Sequence, residues 1–465
     1  MRFVSTRGEA PDVGFIDALL AGLAPDGGLY MPKAWPALAA EEIAAFSGAP
    51  YPTVAAAILG RFAGEEIAAT TLRDLCEEAY AGFIHPAVAP LIQLAPGRFL
   101  LELFHGPTLA FKDLAIQILG RLYQHGLART GRALTVVCAT SGDTGGAAVE
   151  AFRGRDNVRL VVLFPEGRVS EAQRRFMTTA TEGNVRCVAV AGDFDDGQAI
   201  LKALFADAPF AKTVNLTAAN SINIVRIAAQ CVYYFTAAVA LGAPGRPVAF
   251  AIPTGNFGDA FAGWAARRMG LPVTRLVAAT NANDIVARAL ATGVYARAPA
   301  RATQTPAMDI QVASNFERLW FECAGRDGAA TAAAFRGFAA SGSLDIPPAV
   351  LRTMREVFAG VSVDEARTRQ TMATTWKETG VLIDPHTGVA LAGADGASPG
   401  GSGAPLIVLS TAHPAKFPAA VHAATGVFPE PPPAIRALTG RPERFDRLPA
   451  DTETVKAYVR DFAAP

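Results

Sequence analysis

The chain has 465 residues, of which 51% are hydrophobic and 18% are charged, and this composition excludes wholesale disorder. The length exceeds the roughly 250–300 residues that one hydrophobic core usually serves, so two or three domains are expected. Basic and acidic residues each number 42, and the zero net charge gives no reason to expect a nucleic acid or an anionic membrane as partner.

The cysteines indicate a reducing compartment. The five cysteines are Cys76, Cys138, Cys187, Cys231 and Cys323. They are odd in number, lie far apart in apolar surroundings and form no C-x-x-C pair, which is typical of free thiols. Residues 1–9 show no apolar segment typical of a signal peptide, and no apolar run is long enough to span a bilayer. The six histidines have no zinc-like spacing, so no metal is expected. We therefore expect a soluble, cytoplasmic protein.

The first 88 residues are predicted to form a helical region. Their apolar spacing and the turn residues between the apolar segments predict four short helices, at Phe15–Leu23, Glu41–Phe46, Val54–Leu59 and Ile67–Ala79. The pattern changes near His85-Pro86.

Strands then alternate with helices. Strands are predicted at Phe99–Phe104, Leu134–Ala139, Arg159–Phe164, Val185–Ala191, Pro247–Ile252, Val273–Ala279 and Leu406–Leu409. Helices are predicted at Leu109–Tyr123, Ser170–Thr181, Asp196–Phe205, Ile222–Leu241, Phe257–Met269 and Ala415–Ala424. A further helix is predicted to follow the glycine-rich turn after Ala139 and to end at Phe152. Apolar strands joined by helices indicate parallel sheets covered on both faces. We expect a smaller α/β domain at 89–215, a larger one at 216–465, and a ligand cleft between them. The Gly/Ser-rich segment Ala394–Ala404 predicts an exposed loop.

The first strand-to-helix junction carries Lys112, in the segment from Leu103 to Asp113. The lysine is predicted in the first turn of a helix, among apolar residues. Both partial burial and the positive end of the helix dipole disfavour the ammonium form. A neutral amine is what a Schiff base with a carbonyl compound requires, whereas the alternative is a solvated surface lysine.

Two further junctions place small residues and hydroxyls between a buried strand and a helix. The first holds Thr140, Ser141, Gly142, Asp143 and Thr144, and the second holds Gly255, Asn256, Phe257, Gly258 and Asp259. Backbone N–H groups at such helix starts suit a carboxylate in the first turn and a phosphate in the second. A simple capped turn without a ligand fits each pattern as well. Neither segment has the spacing of a Walker A or a dinucleotide-binding loop.

A fourth segment, from Ser410 to Phe417, follows an apolar strand. A hydroxyl in this segment is suited to meet a ring nitrogen, and His413 or Lys416 is suited to meet an anion. A structural role for His413 is the alternative, because histidine serves many purposes in proteins.

Together these segments resemble the threonine synthase family from end to end. The resemblance also rests on these stretches, in matching order: Ser5–Gly8, Gly22–Tyr30, His105–Asp113, Asn220–Asn223, Pro306–Gln311, Ser314–Arg318, Asp384–Thr387 and Thr411–Phe417. It implies the tryptophan-synthase-like fold of pyridoxal-phosphate enzymes (fold type II). It also implies conversion of O-phospho-L-homoserine and water to L-threonine and phosphate, by a monomer or homodimer.

The resemblance also implies roles for individual residues. Lys112 would form the Schiff base with pyridoxal 5'-phosphate and move protons. The loop from Gly255 to Asp259 would hold the cofactor phosphate, and Thr411 its pyridine nitrogen. Residues Thr140 to Thr144 would bind the substrate carboxylate. Arg7, His413 and Lys416 are weaker candidates for the leaving phosphate.

Three alternatives remain at this point. The nearest is a lyase of the same fold, either a serine/threonine dehydratase or a phospho-lyase. The match to the N-terminal signature and to Pro306–Arg318 argues against a dehydratase, whereas the phospho-lyase stays open because a few pocket residues decide the substrate. A non-catalytic binding protein on this scaffold is the second, although Lys112 and the intact loop from Gly255 to Asp259 argue against it. A nucleotide-binding module is the third and lacks its phosphate-loop motifs.

Overall fold

The computed structural model describes residues 1–131, 133–217, 219, 221–397 and 403–463. The N-terminal region contains β1 (Phe3–Ser5), α1 (Phe15–Ala21), β2 (Tyr30–Pro32), α2 (Ala40–Ala44), α3 (Tyr51–Ala63) and α4 (Ala69–Tyr80). The four predicted helices are present with shifted ends. The sequence did not predict the antiparallel pairing of β1 with β2, because three-residue strands leave almost no periodic pattern.

Thirteen further strands lie in the described part of the chain. They are β3 (Leu91–Ala95), β4 (Arg98–Glu102), β5 (Leu134–Ala139), β6 (Val158–Pro165), β7 (Val185–Ala191), β8 (Leu216–Thr217), β9 (Val248–Pro253), β10 (Val273–Thr280), β11 (Val294–Ala296), β12 (Ser343–Asp345), β13 (Phe358–Ser362), β14 (Leu406–Ser410) and β15 (Asp446–Pro449). One sheet has five strands in the order β15-β7-β6-β5-β8, and a second has six in the order β13-β10-β9-β14-β4-β3. All pairs in these two sheets are parallel except β3 with β4.

The remaining helices cover these sheets. They are α5 (Lys112–Thr130), α6 (Asp143–Phe152), α7 (Glu171–Thr178), α8 (Phe194–Ala206), α9 (Ala208–Thr213), α10 (Ile224–Ala240), α11 (Gly258–Arg268), α12 (Ile285–Thr292), α13 (Phe316–Cys323), α14 (Gly328–Ser341), α15 (Pro348–Val357), α16 (Glu365–Thr379), α17 (Pro385–Gly396), α18 (Pro418–Thr425), α19 (Pro433–Arg436) and α20 (Thr452–Ala463). Since α17 extends to Gly396, the exposed loop that the sequence predicted from residue 394 begins later. Its residues 398–402, and Asn220 of the Asn220–Asn223 stretch, lie outside the described residues.

Strand β5 shows why the strands of the parallel sheets have continuous apolar sequences. Val136 and Cys138 contribute to the largest hydrophobic cluster, which also includes the N-terminal helices. Val137 and Ala139 point to the opposite face and pack in a second cluster with residues of α8 and α20. Because successive side chains alternate between two buried faces, every position of the strand is apolar or fully buried.

Neither of the two large sheets is built from one continuous segment of the chain. The predicted segment 89–215 contributes β3 and β4 to the six-stranded sheet and β5, β6 and β7 to the five-stranded sheet, and β15 near the C-terminus joins the five-stranded sheet. Strand β4 pairs with β14, about three hundred residues later. This pairing places the start of α5, which follows β4, beside the loop that follows β14.

Candidate active site

The structure contains a cavity of about 490 Å³ where strands of both sheets end. Residues at the ends of β5, β9 and β14 line this central cavity, together with the first residues of α5, α6 and α11. Ligands of open α/β sheets bind at such carboxyl ends. The location agrees with the cleft that the sequence predicted.

Lys112 is the first residue of α5 and lines the cavity. Backbone hydrogen bonds attach its segment to the loop after β14, from Phe111 N to Thr411 O (2.9 Å) and from His413 N to Leu109 O (3.1 Å). This attachment brings Lys112 and Thr411 to the same wall. Leu109 has φ +60°, a backbone conformation that is costly for a non-glycine residue and is enriched at active sites and ligand clamps.

The charge state of Lys112 is shifted toward the neutral amine. Burial lowers the pKa of Lys112 more than the neighbouring carboxylate of Asp143 raises it. The positive charges of Lys416 and Arg226 add to the lowering. A lysine with a lowered pKa supplies the neutral amine needed for nucleophilic attack on a carbonyl carbon.

The turn from Thr140 to Thr144 forms the start of α6. The hydroxyl oxygen of Thr140 accepts hydrogen bonds from Gly142 N (2.9 Å) and Gly145 N (3.0 Å), which fixes the turn. Gly142 has φ +129°, and a Cβ atom there would lie 2.5 Å from the Gln173 side chain, so no larger residue fits. No described backbone group accepts from the N–H of Ser141, which remains free for an anion in the cavity.

The turn from Gly255 to Asp259 forms the start of α11, on the six-stranded sheet. Asn315 holds the loop by donating from its N and its Nδ2 to Asn256 O, at 3.0 and 3.1 Å. Phe257 has φ +62°, which is unusual for a bulky residue. Within the described residues, the N–H groups of residues 255–257 donate to no backbone oxygen. A helix start with such free N–H groups is an anion-binding arrangement.

Eleven of the fifteen predicted site residues line the cavity: Lys112, Thr140, Ser141, Asp143, Thr144, Gly255, Asn256, Phe257, Gly258, Asp259 and Thr411. Gly142, Arg7, His413 and Lys416 are not among the lining residues. Gly142 shapes the turn beneath the cavity.

Arg7, His413 and Lys416 have other partners. Arg7 forms two hydrogen bonds to the carboxylate of Glu317, at 3.2 and 3.1 Å. The Nδ1 atom of His413 accepts from Ala415 N (3.1 Å), and burial lowers the pKa of His413 to about 4, so this imidazole is neutral at pH 7. The buried ammonium of Lys416 lies 2.7 Å from Asp143 Oδ1.

Several cavity residues were missed by the sequence analysis. Arg226 and Gln230 on α10 and His386 on α17 line the cavity, as does Asp259 on α11, which the sequence did predict. Each has a buried side-chain nitrogen or oxygen atom without a hydrogen-bond partner among the described residues. Unpaired buried polar atoms are costly, so these four atoms mark the wall where a polar ligand belongs. An arginine and a glutamine in the otherwise apolar sequence of α10 were the available signal.

Arg226 is the most informative of these. Its side chain is 2% exposed, and Nη1 donates to Ala219 O at 3.1 Å. Burial lowers the pKa of Arg226 to about 10, and no carboxylate among the described residues forms an ion pair with it. A buried guanidinium without a counter-charge is expensive. The cavity beside Arg226 is therefore suited to an anion.

These features fit pyridoxal phosphate. The cofactor requires a lysine with a neutral amine, free N–H donors for its phosphate, and a polar group for its ring nitrogen. Lys112, the start of α11 and Thr411 supply these groups around one cavity.

Comparisons with known proteins agree. Residues 2–80 match the family described as threonine synthase N terminus, residues 88–340 match pyridoxal-phosphate dependent enzyme, and residues 387–459 match threonine synthase, C-terminal. Threonine synthase of Pseudomonas aeruginosa is 47% identical over 460 residues, covering 99% of this chain and 98% of that protein. Human threonine synthase-like 2 is 38% identical over 455 residues, covering 96% and 93%.

A solved structure supports the same assignment. The crystal structure of threonine synthase from Brucella melitensis, with pyridoxal phosphate bound, is 48% identical and covers all of both chains, with a TM-score of 0.95. No helix in the described part of the chain is long and apolar enough to cross a membrane. The predicted fold class and the predicted cofactor are thus confirmed, and this chain belongs to the threonine synthase family of pyridoxal-phosphate-dependent enzymes.

Proposed function

We propose that this chain converts O-phospho-L-homoserine and water to L-threonine and inorganic phosphate. One observation carries the proposal: Lys112 lies in a single cavity between two helix starts, α6 on the five-stranded sheet and α11 on the six-stranded sheet. Two helix starts suited to anions, on either side of a lysine amine whose pKa is lowered by burial, suit a cofactor phosphate and a substrate carboxylate.

The six-stranded side would hold the cofactor. The N–H groups of Gly255, Asn256, Phe257 and Gly258 would bind its phosphate at the start of α11, and Lys112 would hold it covalently. When bound, pyridoxal phosphate supplies an electron sink for the negative charge that develops on the substrate carbons. The hydroxyl of Thr411 would meet the ring nitrogen. A neutral hydroxyl leaves that nitrogen less protonated than a carboxylate would, which tempers charge build-up on the ring.

The five-stranded side would bind the substrate carboxylate. The hydroxyl of Thr140 accepts two backbone hydrogen bonds and keeps its own proton for donation. Ser141 and Thr144 would add their hydroxyls and the free N–H of Ser141. Asp143 lies in the same turn, but its negative charge is paired with Lys416 at 2.7 Å. The turn therefore accepts a carboxylate without an uncompensated like charge.

We assign the substrate phosphate to Arg226. Its buried guanidinium lines the cavity and has no carboxylate partner among the described residues. Charge-assisted hydrogen bonds from arginine to phosphate are among the strongest that proteins form. Arg7, His413 and Lys416 were the candidates from sequence. Because they do not line the cavity, we propose Arg226 in their place.

Lys112 would perform the proton transfers. The amine would carry one proton at a time: it takes the Cα proton and passes it to water, then takes a Cβ proton as phosphate leaves Cγ and gives that proton to Cγ. Water adds its OH at Cβ while its other proton goes to the phosphate, and the amine finally returns a proton from water to Cα. The sum is one threonine and one phosphate from one substrate molecule and one water.

The test uses the purified chain with pyridoxal phosphate and O-phospho-L-homoserine, and measures threonine and phosphate. Equal amounts of both products are expected. Lys112→Ala should abolish turnover, whereas the control Lys212→Ala, at an exposed lysine on α9, should retain it. Phosphate accompanied by 2-oxobutyrate instead of threonine would identify a phospho-lyase, and activity in Lys112→Ala would refute the assigned role of this lysine.

Three broader features belong to the same proposal. All five cysteines are unpaired thiols, which supports a cytoplasmic location because disulfides are rare there. We propose a monomer or homodimer. We also propose domain boundaries after residues 88 and 215. Each of the two α/β segments contributes strands to both large sheets.

A further inference from the structure

A buried ion pair lies directly behind Lys112. The Nζ atom of Lys416 lies 2.7 Å from Asp143 Oδ1, and Lys112 Nζ lies 3.6 Å from Asp143 Oδ2. The Lys416 side chain is 1% exposed and that of Asp143 is 4% exposed. The carboxylate thus stands between two lysines, one that lines the cavity and one that does not.

The position of Lys416 is fixed on three sides. Its Nζ donates to Thr108 O at 2.8 Å and lies 5.4 Å from the centre of the Phe176 ring. Gln173 Nε2 donates to the same carboxylate oxygen, Asp143 Oδ1, at 3.0 Å. A buried ion pair of this kind seldom adds net stability, because desolvation offsets the attraction. Its retention beside the reactive amine therefore calls for another reason.

That reason is the charge of the reactive lysine. A lone carboxylate 3.6 Å from Lys112 would favour the ammonium form, which cannot attack a carbonyl carbon. A second cation, Lys416, on the other oxygen of the carboxylate opposes this effect. The other charged groups around Lys112 are Arg226 on α10 and Asp259 on α11, and neither forms an ion pair with Asp143.

We propose that Lys416 is a positioning residue that balances the charge of Asp143, so that Lys112 remains a neutral amine while Asp143 stays fixed in the cavity wall. Lys416 touches neither substrate nor cofactor in this role. The inference deepens the proposed function and rests on it.

The test compares Lys416→Met, Asp143→Asn and the double variant. The readout is the pH midpoint for covalent attachment of pyridoxal phosphate to the chain, followed by the visible absorption band of the cofactor without substrate. Lys416→Met leaves the carboxylate uncompensated and should raise the midpoint by about one pH unit or more. Asp143→Asn leaves the cation uncompensated and should lower it by a similar amount.

The double variant distinguishes charge balance from a purely structural role. Removing both charges should return the midpoint to within about half a pH unit of the unsubstituted chain. The control Lys212→Met, at an exposed lysine, should leave the midpoint unchanged. Midpoints that move in the same direction in both single variants, or not at all, would overturn the inference. If a single variant does not fold, a shifted midpoint in the folded double variant overturns it as well.

The measurement separates this inference from the proposed function. Cofactor attachment is observed without substrate, so it does not depend on the reaction. If the unsubstituted chain produces threonine but the variants share its midpoint, the charge balance alone is wrong. If the unsubstituted chain attaches the cofactor and produces no threonine, the proposed reaction is wrong and the charge balance is still tested.

Discussion

Replacing Asp259 by asparagine should remove a pH-dependent cost to the stability of the cofactor-free chain. The Asp259 side chain is buried, and Oδ1 accepts from Tyr233 OH (2.6 Å) and Tyr234 OH (2.9 Å). Oδ2 has no partner among the described residues. Burial raises the pKa of Asp259 to about 6, despite the opposing effect of the two tyrosine hydroxyls. Asparagine keeps the acceptor oxygen and cannot ionise.

The sign and the size follow from linkage. In the unfolded chain an aspartate ionises near pH 3.9, so between about pH 4 and pH 6 the unfolded state releases its proton first. Stability is therefore highest below that range and falls as pH rises through it. The pKa difference of about two units corresponds to about 3 kcal/mol in full, and about half of this, ~1.5 kcal/mol, arises between pH 5 and pH 8.

Urea unfolding at pH 5 and at pH 8 measures this effect. The loss of unfolding free energy between the two pH values should be smaller in Asp259→Asn by ~1.5 kcal/mol. Asp461→Asn, which replaces an exposed carboxylate on α20, is the matched control and should leave the difference unchanged. If Asp259→Asn retains the full pH dependence of the unsubstituted chain, Asp259 does not titrate in this range and the argument from its burial fails.

Three substitutions test the cavity. Gly255→Ala places a Cβ atom 2.9 Å from Ala307 O and should weaken pyridoxal phosphate binding about tenfold or more. The control Gly337→Ala, whose Cβ meets nothing within 4 Å, should leave the affinity unchanged. Equal affinities of both variants in a fluorescence titration would contradict the assigned loop. Arg226→Gln should raise KM for O-phospho-L-homoserine about tenfold or more with cofactor affinity unchanged, and an unchanged KM would remove Arg226 from the substrate site. Thr411→Ala should bind cofactor but turn over more slowly, and a full rate in steady-state kinetics would exclude the proposed contact with the ring nitrogen.

Local sequence pattern predicted the elements around the site well. Lys112 was predicted in the first turn of a helix, and the structure makes it the first residue of α5. The turns before α6 and α11 were predicted from glycines and hydroxyls that follow apolar strands. These features depend on neighbouring residues, through strand periodicity, turn chemistry and helix starts.

Other elements left too little signal. Strand β13 completes the edge of the six-stranded sheet, but its sequence Phe358–Ser362 combines Ala, Gly and Ser with two large apolar residues. Strand β8 has two residues. Short edge strands with partly exposed side chains show neither a long apolar run nor a clear alternation. Their assignment depends on the partner strand, which local sequence does not specify.

The sequence by itself determined the family resemblance, and it predicted the lysine of the proposed site and the loops around it, because each is encoded in a short contiguous segment. The tertiary structure decided which of these residues share a cavity wall and which charges compensate each other. The pairing of β4 with β14 brings Lys112 beside Thr411, and the fold buries Lys416 against Asp143 rather than in the cavity. Both outcomes depend on contacts between residues hundreds of positions apart, and the charge of a buried side chain is set by the groups packed around it.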